Sequence, residues 1–339
     1  MSGVVSPRGP AVPGYAAAPG ARVQWFLVAA ALAAAAGFAI PVVVSSQLAL
    51  TLMTQAVIYA ILAISIGFLI RQNGLTSFGH AAFFGMAAYL LALNGKFDVV
   101  PTELVVLAAV VLPAAFAFLV GLVIVRLPAL SFSMLTLAGA QSLHELMLRW
   151  RELASGDDGM PVRLPSTLFG VDIDVFQSPP SMFVVCWIAL VGVVALLTLL
   201  ARSHFGVLTV AIRENEERAR YVGYHTVVPR ALVFALSGAI GGLAGVLFAL
   251  YNGFVTPGAL HWSLSGEGLI MAVIGGTHTI WGPALGAVVF FIVKNAAGDL
   301  TEHWPAIIGA TLIVVTVLVP QGISGLLARF TARAGAGKP

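Results

Sequence analysis

The chain has 339 residues, 59% of them hydrophobic and 9% charged, with a formal charge of +3 and a mean hydropathy of +0.99. A soluble domain carries about 25% charged residues, so this composition excludes a water-soluble globular fold and describes a polytopic membrane protein. The pI near 9.2 would suggest a nucleic-acid partner in a soluble chain, but here the basic residues sit in loops and tails and report orientation across the membrane instead, with no nucleic acid implied.

Residues 1–24 are rich in Pro, Gly and Ala, with Arg8 and Arg22 their charged members, and read as a disordered cytoplasmic tail. From Trp25 onward, apolar runs fall near 25–44, 47–70, 75–93, 104–125, 130–148, 181–201, 229–251, 263–276, 281–297 and 305–327. A spanning helix needs ~20 apolar residues, so these predict an all-α transmembrane bundle of about ten helices occupying residues 25–328. The first run is followed by so many others that it reads as an uncleaved helix and not a signal peptide. The third, eighth and ninth runs are short or glycine-rich, which leaves nine spans, or one broken helix, as alternatives. Residues 329–339 form a second cytoplasmic tail. Cys186, the single cysteine, lies in an apolar run, which rules out an internal disulfide and a cysteine-based metal cluster.

With the tails inside, Arg8, Arg22, Arg71, Arg126, Arg202, Arg213, Arg218, Arg220, Arg230, Arg329, Arg333 and Lys338 all fall on the cytoplasmic face, leaving Lys96, Arg149, Arg151, Arg163 and Lys294 outside or near it. The positive-inside rule then predicts both termini cytoplasmic and a long extracytoplasmic loop over 149–180. Five predicted helices precede that loop and five follow it. An odd number reverses the second half in the membrane and permits an inverted 5+5 repeat, a common transporter plan. Phe78-Gly79-His80-Ala81 and Trp281-Gly282-Pro283-Ala284 share an aromatic-Gly-x-Ala pattern that would fit it.

Along the helices, polar residues are sparse. Gln55, Ser77 and Gln141 are amide and hydroxyl candidates for lining a path through the bundle. Asn73 to Gly85 runs inward from the cytoplasmic face with small residues that let backbones approach closely, and an interrupted helix here would free amides or carbonyls to line a path. Gly79 and His80 are its key members, because an ionisable side chain in a membrane is a functional hypothesis by default. The alternative, a neutral histidine bonded to a neighbouring group, stays open. Glu145 and Glu267 sit near the outer interface, where contact with a polar solute and snorkelling to water explain them equally. Gly238, Gly241, Gly242 and Gly245 form overlapping GxxxG patterns, read as tight helix packing.

Phe205 to Gly223 is different in kind. Arg213, Glu214, Asn215, Glu216, Glu217, Arg218 and Arg220 crowd a segment that otherwise reads as one amphipathic cytoplasmic helix ending at Gly223. Glu214 with Arg218, and Glu216 with Arg220, stand four apart with the acid first, the favoured order for helical ion pairs. A helix lying on lipid would want a basic face, which three glutamates oppose, so a protein partner is expected. No G-x-x-x-x-G-K-[ST] and no H-E-x-x-H occur, so the chain shows no nucleotide-binding loop, catalytic set or metal site of its own; if transport is ATP-driven, another chain hydrolyses the ATP.

These residues also carry a family likeness. Gly74-Leu75-Thr76-Ser77-Phe78-Gly79-His80-Ala81-Ala82-Phe83-Phe84-Gly85, Phe132 to Ala138, Gly156-Asp157-Asp158-Gly159-Met160, Arg213-Glu214-Asn215-Glu216 with Gly223, Gly275-Gly276 before Trp281-Gly282-Pro283, and Pro320-Gln321-Gly322 closely resemble the LivM-type permease of branched-chain amino acid ABC importers. The likeness runs in register from about Leu48 to Leu327. It implies a permease subunit in a bacterial inner membrane, paired with a LivH-type permease, two cytoplasmic ATP-binding subunits that hold ATP and Mg, and an extracytoplasmic solute-binding protein. It also implies that Arg213 to Gly223 docks into the ATPase. Thr76-Ser77-Phe78, His278 and Thr279 depart from the family's usual pattern. Similar permeases serve urea, amides and aromatic acids, and these stay open as alternative solutes; a self-powered secondary transporter is a further alternative, without the mid-membrane carboxylates it would need.

Overall fold

The computed structural model describes residues 19–44, 46–300, 303–319 and 321–326. Most of the proposed N-terminal tail (1–18), the C-terminal tail and Pro320 lie outside the described residues. The chain is helical almost throughout. In order come α1 (Pro19–Val43), α2 (Gln47–Asn73), α3 (His80–Phe97), α4 (Thr102–Ile124), α5 (Ala129–Arg149), the single turns α6 (Arg151–Ala154) and α7 (Asp174–Gln177), then α8 (Pro179–Arg202), α9 (His204–Glu214), α10 (Glu216–Tyr221), α11 (Val227–Asn252), α12 (Trp262–Gly275), α13 (Gly282–Leu300) and α14 (Trp304–Leu318). Four two-residue strands decorate the loops: β1 (Met160–Pro161) pairs with β4 (Phe254–Val255), and β2 (Thr167–Leu168) with β3 (Val171–Asp172).

A helix lies over every apolar run. Helix α1 starts at Pro19, before the expected Trp25, and α3 starts at His80, after the expected Leu75. Five stretches are long and apolar enough to cross a membrane: α2, α4, α8, α11 and Pro305–Leu326. The apolar parts of α1, α12 and α13 are shorter, and α5 is diluted by Ser131, Ser133, Thr136, Gln141, Ser142, His144 and Glu145.

Helices α2 and α11 form the centre. Of their most apolar stretches 78% and 72% is buried, against 28% for α4 and α8, which therefore lie at the periphery. The glycine pattern of α11 explains how it reaches that position. A Cβ at Gly245 would stand 2.0 Å from the Phe84 carbonyl of α3, and one at Gly242 would stand 2.9 Å from the Ala109 carbonyl of α4. Gly238 faces Ala117 of α4 and Gly241 faces Phe83 of α3. Two diagonal glycine rows thus let two different helices approach the same backbone, as tight crossing in a membrane requires.

At one end of the bundle, α9 and α10 cross the tips of α2 and α11; we call this the α9 end. At the opposite end lie β1, β4 and the 149–180 loop, tied to the chain after α11 by the Val162 amide, which donates to the Gly253 carbonyl at 2.8 Å. Two of the sequence motifs meet at the α9 end. The Gly275-Gly276 turn packs directly on Gln321 and Gly322, with Gly276 at φ 91° and Gly322 at φ 69°, conformations that favour glycine.

Candidate functional site

Between α2 and α3 the chain does something a soluble helical hairpin does not. Gly74, at φ 67°, caps α2 by donating to the Ile70 carbonyl. Residues 74–79 then run without helical structure back into the bundle, so that α3 begins at the level of Ser65, eight residues or about 12 Å before the end of α2. The amides leading into α3 and in its first turn therefore need partners. Side-chain hydroxyls supply them: Phe78 N donates to Thr136 Oγ1 (3.2 Å), Gly79 N to Ser77 Oγ (3.1 Å) and Ala81 N to Ser265 Oγ of α12 (2.8 Å). Ser133 of α5 closes the segment by donating to the Thr76 carbonyl at 2.6 Å.

His80 and Ser77 are completely buried in this junction. His80 Nε2 lies 2.6 Å from Ser237 Oγ on α11, and Ser237 in turn donates to the Ser65 carbonyl at 2.7 Å. A hydroxyl has one proton, so the tautomer of His80 decides whether Nε2 donates to Ser237 or Ser237 gives its proton to the ring in place of Ser65. The rings of Phe83 and Phe234 stand edge-on to the imidazole. Gly79 faces α5, where a Cβ would come 2.9 Å from the Thr136 carbonyl. The path candidates thus separate into two groups. Ser77, Gly79 and His80 are fully buried at the junction, whereas Gln55, Gln141 and Glu267 are half-buried. Gln141 reaches Glu145 (3.4 Å), and Glu267 pairs with Lys294 of α13 at 3.2 Å, an ion pair between neighbouring helices.

The charged segment at the α9 end is two helices, not the single one expected. Asn215 breaks it, with φ −157° and ψ 94°, because its side chain accepts from the Arg218 amide (2.8 Å) and so caps a new helix in preference to continuing the old one. Helix α10 ends in a Schellman turn: Tyr224 N donates to the Ala219 carbonyl and Gly223 N to that of Arg220, with Gly223 at φ 96°. The kink realises one expected ion pair and replaces the other. Glu216 bonds Arg220, while Glu214 lies 3.8 Å from Arg213.

Glu216 also accepts from Arg230 Nη1 of α11 and from Thr226 Oγ1, each at 2.8 Å, clamping α10 to the base of α11. Burial works to raise its pKa, but the hydrogen bonds from Thr226 and Arg220 and the charges of Arg230 and Arg220 outweigh it and hold the carboxyl below the ordinary range. Arg213 turns the other way. Its guanidinium donates to the Arg71 carbonyl in the last turn of α2, and its Cγ lies 3.1 Å from where a Gly74 Cβ would be. Thr209 of α9 donates to Gln72 at 3.0 Å, and Asn73 donates to the Arg230 carbonyl at 2.9 Å. The elbow formed by α9, Asn215 and α10 therefore grips α2 just where the chain turns back toward His80. Outward it presents Glu214, Glu217, Arg218, Tyr221 and Val222, all exposed.

Sequence reasoning missed the clamp's other half. Arg230 lies four residues into an apolar helix, a signal read only as topology, and Arg71 likewise. The sequence places Lys294 near the outer interface and leaves its partner Glu267, twenty-seven positions away, unlinked to it. Ser65, Ser237 and Ser265 carry no local pattern, and Thr136 lies in the Phe132–Ala138 stretch with no role legible there; each matters through a helix distant in sequence.

Residues 48–316 match the family described as the permease component of branched-chain amino acid transport systems. The chain is 26% identical over 290 residues, 80% of its length and 68% of the relative's, to the high-affinity branched-chain amino acid transport system permease protein LivM of Salmonella typhimurium. It is 24% identical to the LivH permease protein of the same organism, covering 79% of this chain and 91% of that one. It is 28% identical to the autoinducer 2 import system permease protein LsrC of Yersinia enterocolitica, over 68% of this chain and 63% of that one. No solved structure matches. A multi-pass helical bundle, in register with this family over most of its length, belongs to the permease components of branched-chain amino acid transport systems.

Proposed function

We propose that this chain is one half of the membrane channel of an ATP-driven importer, paired with a LivH-like permease, carrying branched-chain or related amino acids across the bacterial inner membrane. Two cytoplasmic ATP-binding subunits, holding ATP and Mg, supply the energy, and an extracytoplasmic protein delivers the solute. The α9 end is cytoplasmic, as the basic-residue asymmetry requires, and both termini lie on that side.

The observation that carries this reading is the continuous contact from an exposed, charged elbow through Arg213 to Gly74 and on to the buried start of α3. A partner that tilts the elbow pulls on the segment that sets α3. Helix packing supports a ten-helix inverted repeat. Exchanging α2 with α11, α3 with α12, α4 with α13 and α5 with α14 converts the α11–α4 contact into α2–α13, α11–α3 into α2–α12, and α3–α5 into α12–α14. This exchange pairs α3 with α12, whereas the shared aromatic-Gly-x-Ala pattern relates the start of α3 to that of α13. Gln55, Gln141 and the Glu267–Lys294 pair, partly open as they are, are better placed to meet a zwitterion than the packed His80.

A solute outside the amino acids is the second reading, favoured by the 28% identity to LsrC, whose own name concerns autoinducer 2. Charge reversal at Glu214 and Glu217, which leaves the Glu216 clamp intact, tests the docking. In vesicles holding the full transporter, solute-stimulated ATP hydrolysis is expected to be lost while the permease still inserts. Normal stimulation in that double variant overturns the assignment of the elbow, and wild-type complexes stimulated by a solute other than amino acids overturn the solute.

A further inference from the structure

A recess of about 450 Å³ opens where α4 ends and α11 begins, beside the base of α10 but apart from its exposed acids. Leu122 and Arg126 of the α4 end form one wall, and Arg220, Tyr224, His225 and Val228 the other. Its charge is unbalanced. Glu216 is already bonded to both Arg220 and Arg230, so its one negative charge is matched twice before Arg126 is counted.

Its position is equally specific. Arg126 stands two residues past the span Thr102–Ile124, and His225 stands two before the span Val227–Asn252. These two helices pack along their lengths, so both ends mark the same membrane boundary. Val123 and Val228 beside the recess are exposed apolar residues, and Tyr224 is an exposed aromatic at the same level, the kind of side chain enriched at a headgroup layer.

We infer that this recess binds the phosphate headgroup of an anionic phospholipid, with the acyl chains against Leu122, Val123 and Val228. Basic recesses between helices at this boundary offer both halves of such a molecule what they need, cations for the phosphate and apolar helix for the tails. A free phosphate would use the cations and leave the apolar wall wet. An acidic segment of a partner protein would match the cations but not the exposed Val123 and Val228 beside them. A bound headgroup meets the same Arg220 that holds Glu216, and so steadies α10 at its base.

The test uses the whole reconstituted transporter in bilayers of phosphatidylcholine with 0 to about 30% phosphatidylglycerol, counting retained lipid by native mass spectrometry. The wild type is expected to retain phosphatidylglycerol over phosphatidylcholine, and Arg126→Gln to lower that preference about five-fold, the equivalent of one arginine at a charged membrane surface. Arg126→Lys should restore most of it, which a merely unfolded site would not allow. Inorganic phosphate in excess should not displace the lipid. Unchanged preference in Arg126→Gln combined with His225→Gln overturns the site. Displacement by inorganic phosphate assigns it to a soluble anion instead, and retention by the permease pair that vanishes when the ATPases are added assigns it to a protein partner; either outcome overturns the lipid.

Discussion

Two polar regions of this molecule use similar residues to opposite ends. At the start of α3, hydroxyls and an imidazole are buried and turned inward, each bonded to a backbone group or to a neighbour that is. At the elbow, Glu216 pairs with Arg220 inside α10 and with Arg230 of α11, which fastens the two helices, and a surplus of charge is left facing water. The contrast follows from what surrounds them. In a bilayer interior an unsatisfied amide costs several kcal/mol, so the hydroxyls of Ser77, Thr136 and Ser265 are committed to repairing the break in the helix. At the bundle's end water satisfies what the protein does not, and charges are free to be read by a partner. The hydroxyls at the start of α3 hold the break in the helix, whereas the charges at the bundle's edge are available for recognition.

The sharpest way to break that contrast is Gly79→Leu. A side chain there meets the Thr136 backbone at 2.9 Å, and backbone cannot swing aside as a side-chain tip can. Overpacking costs about 1–3 kcal/mol in ordinary cores, and this contact with main chain belongs at the upper end, so the folded-to-unfolded ratio is expected to fall roughly 100-fold, lowering the amount of assembled transporter. Uptake per assembled complex should stay near the wild-type value. Normal assembly with blocked uptake would make the segment a gate, and the division between buried scaffold and exposed function would fail.

Glu216→Gln probes the other region with a smaller effect. Glutamine keeps the hydrogen bonds to Thr226 and Arg220 in shape but removes the charge that matches Arg230. Glu216 is about one-third exposed, so the loss of stability is expected at about 1 kcal/mol, after allowance for solvent screening. The pH dependence has a definite sign. Because the folded state holds this carboxyl below its ordinary value of 4.5, the clamp's contribution is fully present above that value and is lost as pH falls through the lowered pKa. Thermal unfolding measured from pH 7 to pH 3 should show the wild type converging on the variant only at the acid end. Convergence already near neutral pH would mean that the clamp is not ionic.

How much of this was legible beforehand differs between the two regions for a physical reason. Apolar periodicity located every long helix, since burying about 20 residues in lipid leaves little freedom in where they lie. The glycine rows of α11 were legible as packing because spacing alone puts them on two faces. The elbow's charges stood out against an apolar background, but its kink did not: Asn215 was read as one more polar position in an amphipathic run, when a side chain that accepts from the amide three residues on marks a new helix start. The junction was legible only in outline. The small residues of Asn73 to Gly85 allow an interrupted helix but do not locate it, since the apolar run starts at Leu75 and α3 at His80, and Ser265 and Thr136, which make the interruption tolerable, are contributed by helices whose contact with it only the fold supplies.

Gly223→Ala carries the smallest expected effect and refines the contrast most finely. Gly223 sits at φ 96° with no atom within 4 Å of where a Cβ would stand, so the substitution meets no neighbour and strains only the backbone. That strain is about 1 kcal/mol, the usual difference between glycine and an L-residue held in a left-handed conformation. It falls on the turn that ends α10, one residue before Tyr224, and leaves both the Glu216 clamp and the Arg213 contact with α2 in place. Assembly should therefore be unchanged, while the coupling of ATP hydrolysis to solute falls by a few-fold, because the orientation of α10 toward the proposed ATP-binding subunit is less sharply fixed. Measuring the ratio of solute transported to ATP hydrolysed separates these. A reduced ratio with normal assembly makes the turn part of the docking geometry, and an unchanged ratio confines docking to α9 and the exposed acids Glu214 and Glu217.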